Sequence, residues 1–176
     1  VPILLYHHVV EENRDSRYYV SLKNFTDQMG LLEEWGYSTI TIEKLVDLLS
    51  EGLQIPERSV IITFDDGNLD VYQHAFPVMK ERNFIGSVYI VANRLDSEGF
   101  LQVEQLEELI ENGWEVGSHS MTHADLTKSH AQVRKEILQS RLDLKKALGF
   151  DVKVFAYPFG LTDPYITKKV QDYGYD

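Results

Sequence analysis

The chain has 176 residues, 43% of them hydrophobic and 26% charged, which suits one soluble-type domain with a real core. It has no cysteine, so disulfides, thiolate catalysis and cysteine metal sites are excluded. Its 17 basic and 28 acidic residues leave a net charge of −11, which repels phosphate backbones and argues against nucleic acid as a partner.

In chain order, apolar runs of strand type alternate with segments of helical period. The first run, ILLY (3–6), ends at His7 and His8. The opening VPILLYHHVV lacks the basic segment and the small-residue cleavage site of a secretion signal, which leaves the compartment open. FTDQMGLLEEW (25–35) then sets Phe25, Met29, Leu32 and Trp35 near one helical face. STITI (38–42) alternates like a strand. IEKLVDLL (42–49) sets Ile42, Leu45, Val46 and Leu49 on one face. VIITF (60–64) reads as a buried strand, and VYQHAFPVMKE (71–81) as a helix kinked or broken at Pro77. SVYIV (87–91) is a strand. LQVEQLEELIENG (101–113) is a helix stopped by Asn112-Gly113, with Glu104, Glu107, Glu108 and Glu111 as its solvated face. WEVGS (114–118) is a strand, and residues 130–150 form the longest helix, with Val133, Ile137, Leu144 and Leu148 inward and Gly149 as its cap. VKVFAY (152–157) is the last strand. Asp163 and Pro164 open a final helix as N-cap and first residue. No apolar stretch is long enough for a membrane-spanning helix, and no internal repeat is visible.

Six β-then-α units imply a parallel sheet with helices outside it, either open or curled into a barrel. Functional residues then collect at the C-terminal strand ends. There lie Asp65, Asp66 and Gly67; His119, Ser120, Met121, Thr122 and His123; Pro158, Phe159 and Gly160; and His7 with His8. Two adjacent acids after a buried strand repel each other unless they sit in a solvated turn or help to hold a cation. His119 and His123, four apart, can converge from a helical turn or a tight loop. Two imidazoles with one carboxylate, from Asp65 or Asp66, suffice for a divalent metal with open positions, and the other acid then serves as a base. Taken singly, these features have plainer readings: Pro-Phe-Gly as a turn, His7 and His8 as core or capping residues, and Tyr18, Tyr19, Phe100 and Phe159 as packing rather than sugar-stacking groups. His74 and His130 read as surface residues.

TFDDG (63–67), HSMTH (119–123) and FAYPFG (155–160), in this order, resemble the first three motifs of the polysaccharide deacetylases of carbohydrate esterase family 4, the NodB-homology domain. PILLYHHV resembles the start of the exported subgroup that includes the poly-β-1,6-N-acetylglucosamine deacetylases. The resemblance implies an α/β fold, a distorted, incomplete (β/α) barrel with parallel strands and outer helices. It implies an extracytoplasmic protein with an acetylated polysaccharide or oligosaccharide as partner, and leaves the oligomeric state open. It implies one divalent metal, zinc first, with cobalt, nickel and manganese accepting the same ligands, and hydrolysis of N-acetyl or O-acetyl groups on sugars. Position by position, Asp65 resembles the general base, Asp66, His119 and His123 the metal ligands, and the Phe159 N–H an oxyanion donor.

Two departures stand out. An arginine that orients the base in many relatives is here Ala156, a loss shared with the exported subgroup. Later motifs, with a histidine general acid, lie past residue 176, and GYD (174–176) reads as the lead-in to another strand. Residues 1–176 are therefore expected to be a single catalytic domain lacking its C-terminal strand or strands, with His7 supplying the acid. Three other readings stand beside this one: a different metal-dependent amide or ester hydrolase, an iron oxygenase on the same ligand set, and a catalytically inactive glycan-binding module.

Overall fold

The computed structural model describes residues 1–12 and 14–176. Its centre is β5 (Ser59–Phe64), every residue of which is buried. That is why VIITF carries no polar alternation: a parallel strand covered on both faces is apolar throughout. β1 (Ile3–Tyr6) pairs with β5, β5 with β6 (Ser87–Ile90), and β6 with β7 (Glu115–Ser118), all parallel. The short β4 (Ser38–Thr39) joins the start of β5. Phe64 stacks on Trp114 at 5.5 Å and meets Tyr6 at 5.6 Å, so one aromatic cluster ties three segments of the core. Helices α1 (Leu22–Glu34), α2 (Ile42–Ser50), α3 (Phe76–Lys80), α4 (Val103–Glu111), α5 (Ser140–Leu148) and α6 (Pro164–Asp172) lie outside, giving the distorted, incomplete (β/α) barrel. Among the described residues, no helix is long and apolar enough to cross a membrane.

The predicted caps hold: Asp163 accepts the Ile166 N–H at 2.9 Å, Pro164 opens α6, and Gly149 closes α5 at φ 80°. Other expectations are corrected. STITI yields only two strand residues, because the Thr41 hydroxyl accepts the Lys44 N–H and starts α2. In α2 it is Leu48 that is buried, while Leu49 is exposed; Trp35, past the end of α1, is exposed as well. Pro77 does mark a break, as expected: a π-helical turn, Val71–Ala75, ends just before it, and α3 opens at Phe76 with Pro77 in its first turn, where the missing N–H is tolerated. The long helix of 130–150 is three pieces: a 3₁₀ turn (His130–Gln132), a π-helical turn (Arg134–Gln139) and α5. VKVFAY makes a single parallel bridge, Phe155 to Ser118, because β7 ends there and the chain turns away. A second parallel pair, β2 (His8–Val10) with β3 (Tyr19–Ser21), was not expected.

Candidate active site

The C-terminal ends of β1, β5 and β7 open into a cavity of 680 Å³ that His7, His8, Asp65, Asp66, His119, His123 and Phe159 all line. Every residue singled out by the sequence for catalysis or metal binding thus reaches one space.

Asp65 continues β5, its N–H bonded to the Tyr6 carbonyl at 3.0 Å. Asp66 then turns into the left-handed region at φ 75°, followed by Gly67 at φ 75°. A Cβ on Gly67 would come within 3.0 Å of Ile90, so glycine serves both the turn and the close approach. The turn sends the two carboxylates to different places. Asp65 Oδ2 lies 3.8 Å from His119 Nε2, and Asp66 Oδ1 lies 3.6 Å from His123 Nε2. Burial, with the neighbouring Asp66 charge, pushes the Asp65 carboxyl up to about 7.

His119 and His123 leave β7 in a tight loop rather than a helix. Ser120 (φ 68°) and His123 (φ 62°) are left-handed, the Ser120 hydroxyl takes the His123 N–H at 2.9 Å, and the two rings stand 4.8 Å apart. Asp66, Ser120, His123 and Phe159 are four of the seven non-glycine residues with positive φ among those described. Such backbone strain is held in place only where the surroundings over-determine it, and it clusters at functional sites.

His119 is almost fully buried, which pulls its pKa down to about 4 and keeps the ring neutral. Its Nδ1 donates to the Ala156 carbonyl at 2.9 Å, so Nε2 carries the lone pair toward the cavity. The segment that lacks the arginine therefore contributes a backbone carbonyl. One ligand atom each from Asp66, His119 and His123 lie within 4.8 Å of one another. Two imidazoles and a carboxylate at one point of the cavity, one imidazole held neutral and in the right tautomer, suit a divalent transition metal.

His7 lines the same cavity, 4.9 Å from the Tyr18 ring, and burial lowers its pKa. Phe159 packs edge-on to His123 at 4.5 Å and is 63% exposed at the rim. Tyr18, also exposed, faces the same cavity, so both rings pack on a histidine and still leave surface open to the cavity; Tyr19 stacks on His8, and Phe100 lies under Arg94 at 5.2 Å. His74 is not on the surface: it is half-buried, its Nδ1 donating to the Val9 carbonyl at 2.6 Å. His130 is exposed as expected, paired with Asp163 at 2.9 Å.

The sequence reading missed three groups. His8 Nδ1 bonds Asp70 at 2.7 Å, and Asp70 also takes the Val9 N–H, which fixes β2 beside the cavity. Arg94 reaches Asp66 at 3.4 Å and partly offsets the paired acidic charge. Arg17 donates to the Tyr18 hydroxyl at 2.7 Å. The Asp70 and Arg94 contacts join residues far apart in sequence, and the Arg17 contact with its neighbour Tyr18 carries no recognisable motif.

Residues 53–176 match the family model described as polysaccharide deacetylase. The chain belongs to that family. It is 27% identical over 177 residues to a poly-β-1,6-N-acetyl-D-glucosamine N-deacetylase of Staphylococcus aureus, covering 90% of this chain and 61% of that one. It is 29% identical over 159 residues to the Staphylococcus epidermidis enzyme of the same name, covering 82% and 55%. The chain thus spans less than two thirds of these curated relatives. Among solved structures, BC0361, a polysaccharide deacetylase from Bacillus cereus, superposes with TM-score 0.86 at 29% identity, over 98% of this chain and 55% of that one. IcaB from Ammonifex degensii gives 0.86 at 29%, over 99% and 80%.

Proposed function

We propose that this chain is a metal-dependent deacetylase that hydrolyses N-acetyl groups on a polysaccharide or amino-sugar oligomer outside the cytoplasm. Membership in the polysaccharide deacetylase family and the names of the staphylococcal relatives support the substrate class. One observation carries the chemistry: three ligand atoms from Asp66, His119 and His123 converge within 4.8 Å, with Asp65 at the same cavity wall. Residues 1–176 act as one catalytic unit on this reading, since a single buried core runs from Val9 to Tyr175.

Asp66, His119 and His123 hold the ion, with zinc the first assignment. When bound, the ion supplies a Lewis acid for the acetyl carbonyl and for a water beside it. Asp65 accepts a proton from the attacking water. A carboxylate whose burial lifts its proton affinity toward neutrality is a stronger base than a free one. The Phe159 N–H lies in the first turn of the 3₁₀ segment Pro158–Gly160, where N–H groups lack internal acceptors, and it donates to the developing oxyanion. His7, in the same cavity, gives a proton to the departing sugar nitrogen as the C–N bond breaks, releasing acetate and a free amine. The rim aromatics Tyr18 and Phe159 offer faces to the sugar.

The test is metal content by elemental analysis together with acetate release from N-acetylglucosamine oligomers. The wild type is compared with Asp65→Ala, His119→Ala and His7→Ala. His119→Ala is expected to lose metal and activity, and Asp65→Ala and His7→Ala to keep metal and lose turnover. A metal-free wild type would overturn the reading. Metal without acetate release would point to a binding module.

A further inference from the structure

Glu136 is 3% exposed, and among the described residues no cation appears among its hydrogen-bond or ion-pair partners. An anionic side chain there needs a reason, because burying a carboxylate is costly unless its oxygens are bonded. Both oxygens go to one residue: Oε2 takes the Thr122 N–H at 2.9 Å and Oε1 takes the Thr122 hydroxyl at 2.7 Å. Thr122 lies between His119 and His123.

The backbone of Glu136 points the same way. It sits in the π-helical turn Arg134–Gln139. In an α-helix its carbonyl would take the Ser140 N–H. Here that N–H goes to Ile137, and the Glu136 carbonyl takes the Met121 N–H at 3.0 Å together with the Ser140 hydroxyl at 2.7 Å. The widened turn thus frees a carbonyl for the loop, as π-turns at functional sites do. One turn on, the Ser140 hydroxyl meets the Ser118 hydroxyl at 3.0 Å. Residues 118, 121 and 122 are therefore fastened to 136 and 140. The loop they fasten holds two left-handed residues, Ser120 and His123, that it would not adopt unaided.

We infer that Glu136, through Thr122 and Met121, is the positioning residue that sets the His119–His123 loop for metal binding, and that the π-helical turn exists to present it. This rests on the metal reading of the site given above. Glu136 touches neither ligand ring; it acts through the peptide between them.

The experiment measures zinc affinity by competition with a chromophoric chelator for the wild type, Glu136→Ala, Glu136→Gln, Thr122→Val and the Glu136→Ala/Thr122→Val double variant. Circular dichroism and thermal melting of the metal-free proteins run alongside. Loss of such an outer partner weakens metal binding roughly ten- to a hundredfold, and that is the expected drop for Glu136→Ala. Glu136→Gln, which keeps one acceptor, is expected to fall between it and the wild type. The double variant is expected to bind no more weakly than Glu136→Ala, because both changes break one linkage. Thr122 is exposed, so Thr122→Val keeps the assignment testable if Glu136→Ala fails to fold. A folded Glu136→Ala or Thr122→Val that binds zinc like the wild type overturns the assignment, as do additive losses. A wild type that binds no zinc overturns the metal reading itself, a separate outcome.

Discussion

Replacing Asp65 with Asn should make the metal-free protein more stable while cutting turnover steeply, and the gain should grow with pH. The Asp65 side chain is 14% exposed, and its pKa is raised from 3.8 to about 7, by burial first and by Asp66 second. A carboxyl whose folded pKa lies above its unfolded one favours folding only while protonated. Below pH 3.8 it costs nothing; the penalty accrues as pH rises and is complete above about 7. At 1.36 kcal/mol per pH unit the full penalty approaches about 4 kcal/mol, an upper figure because a charged site relaxes and admits water. For a domain of this size that is roughly 10 °C in Tm. The assay is urea denaturation of chelator-treated wild type and Asp65→Asn at pH 4, 6 and 8, with acetate release measured in parallel. The expected result is near-equal stability at pH 4, a gain of 1 to 4 kcal/mol at pH 8, and a loss of about 10²–10⁴ in turnover on removal of the base. Saturating zinc should shrink the gain, since a cation beside Asp65 offsets the charge that Asn removes. Equal stability at pH 8, or retained turnover, would refute the reasoning.

Other outcomes follow from single contacts. Gly117→Ala would set a Cβ 2.5 Å from the Tyr89 ring, two residues before His119; it should cost about 1–3 kcal/mol in urea denaturation and weaken zinc binding. Ile62→Ala, in the middle of the fully buried β5, should cost about 2–5 kcal/mol by the same measurement. Phe159→Ala removes an exposed aromatic face but keeps the backbone N–H; KM for an oligosaccharide should rise up to about tenfold with kcat changed far less. Glu115→Ala should destabilise by about 1–3 kcal/mol without touching metal content, because Glu115 takes the Glu43 N–H at 2.7 Å at the start of α2, far from the cavity.

The sequence was most legible where burial is extreme or local chemistry is strong. β5 reads off as an unbroken apolar run, and Asp163-Pro164 and Gly149 mark helix ends by rules that need no tertiary partner. It failed where two local tendencies compete. STITI alternates like a strand, yet Thr41 caps a helix, and the cap won. VKVFAY has strand composition, but pairing needs a neighbour, and β7 offers it only Ser118. Spacing and the strand-end rule brought His119 and His123 together with a carboxylate from Asp65 or Asp66; the choice of Asp66 came with the family resemblance, and the left-handed turns at Asp66, Ser120 and His123 that draw the three ligand atoms together were not foreseen. Glu136, Arg94 and Asp70 were beyond reach, because a buried or paired charge in a polar stretch looks like any solvated one until the fold brings its partner to it.

Two adjacent acids at the end of a buried strand raised a question of charge, and the backbone supplies much of the answer. Neighbouring residues in extended conformation would point to opposite faces. Asp65 keeps the β5 hydrogen bonding to Tyr6 and stays half-buried beside His119; Asp66 is thrown into the left-handed region and swings to His123 and Arg94. The difference of one φ angle gives the two carboxyls unlike surroundings, one desolvated, the other beside a guanidinium. Groups with unlike surroundings can take unlike tasks, proton acceptor and metal ligand. The left-handed turn at Asp66 is held open by Gly67, whose missing Cβ lets the chain pass Ile90. Gly67→Ala should therefore harm metal binding and turnover together, because it displaces the pair as a unit.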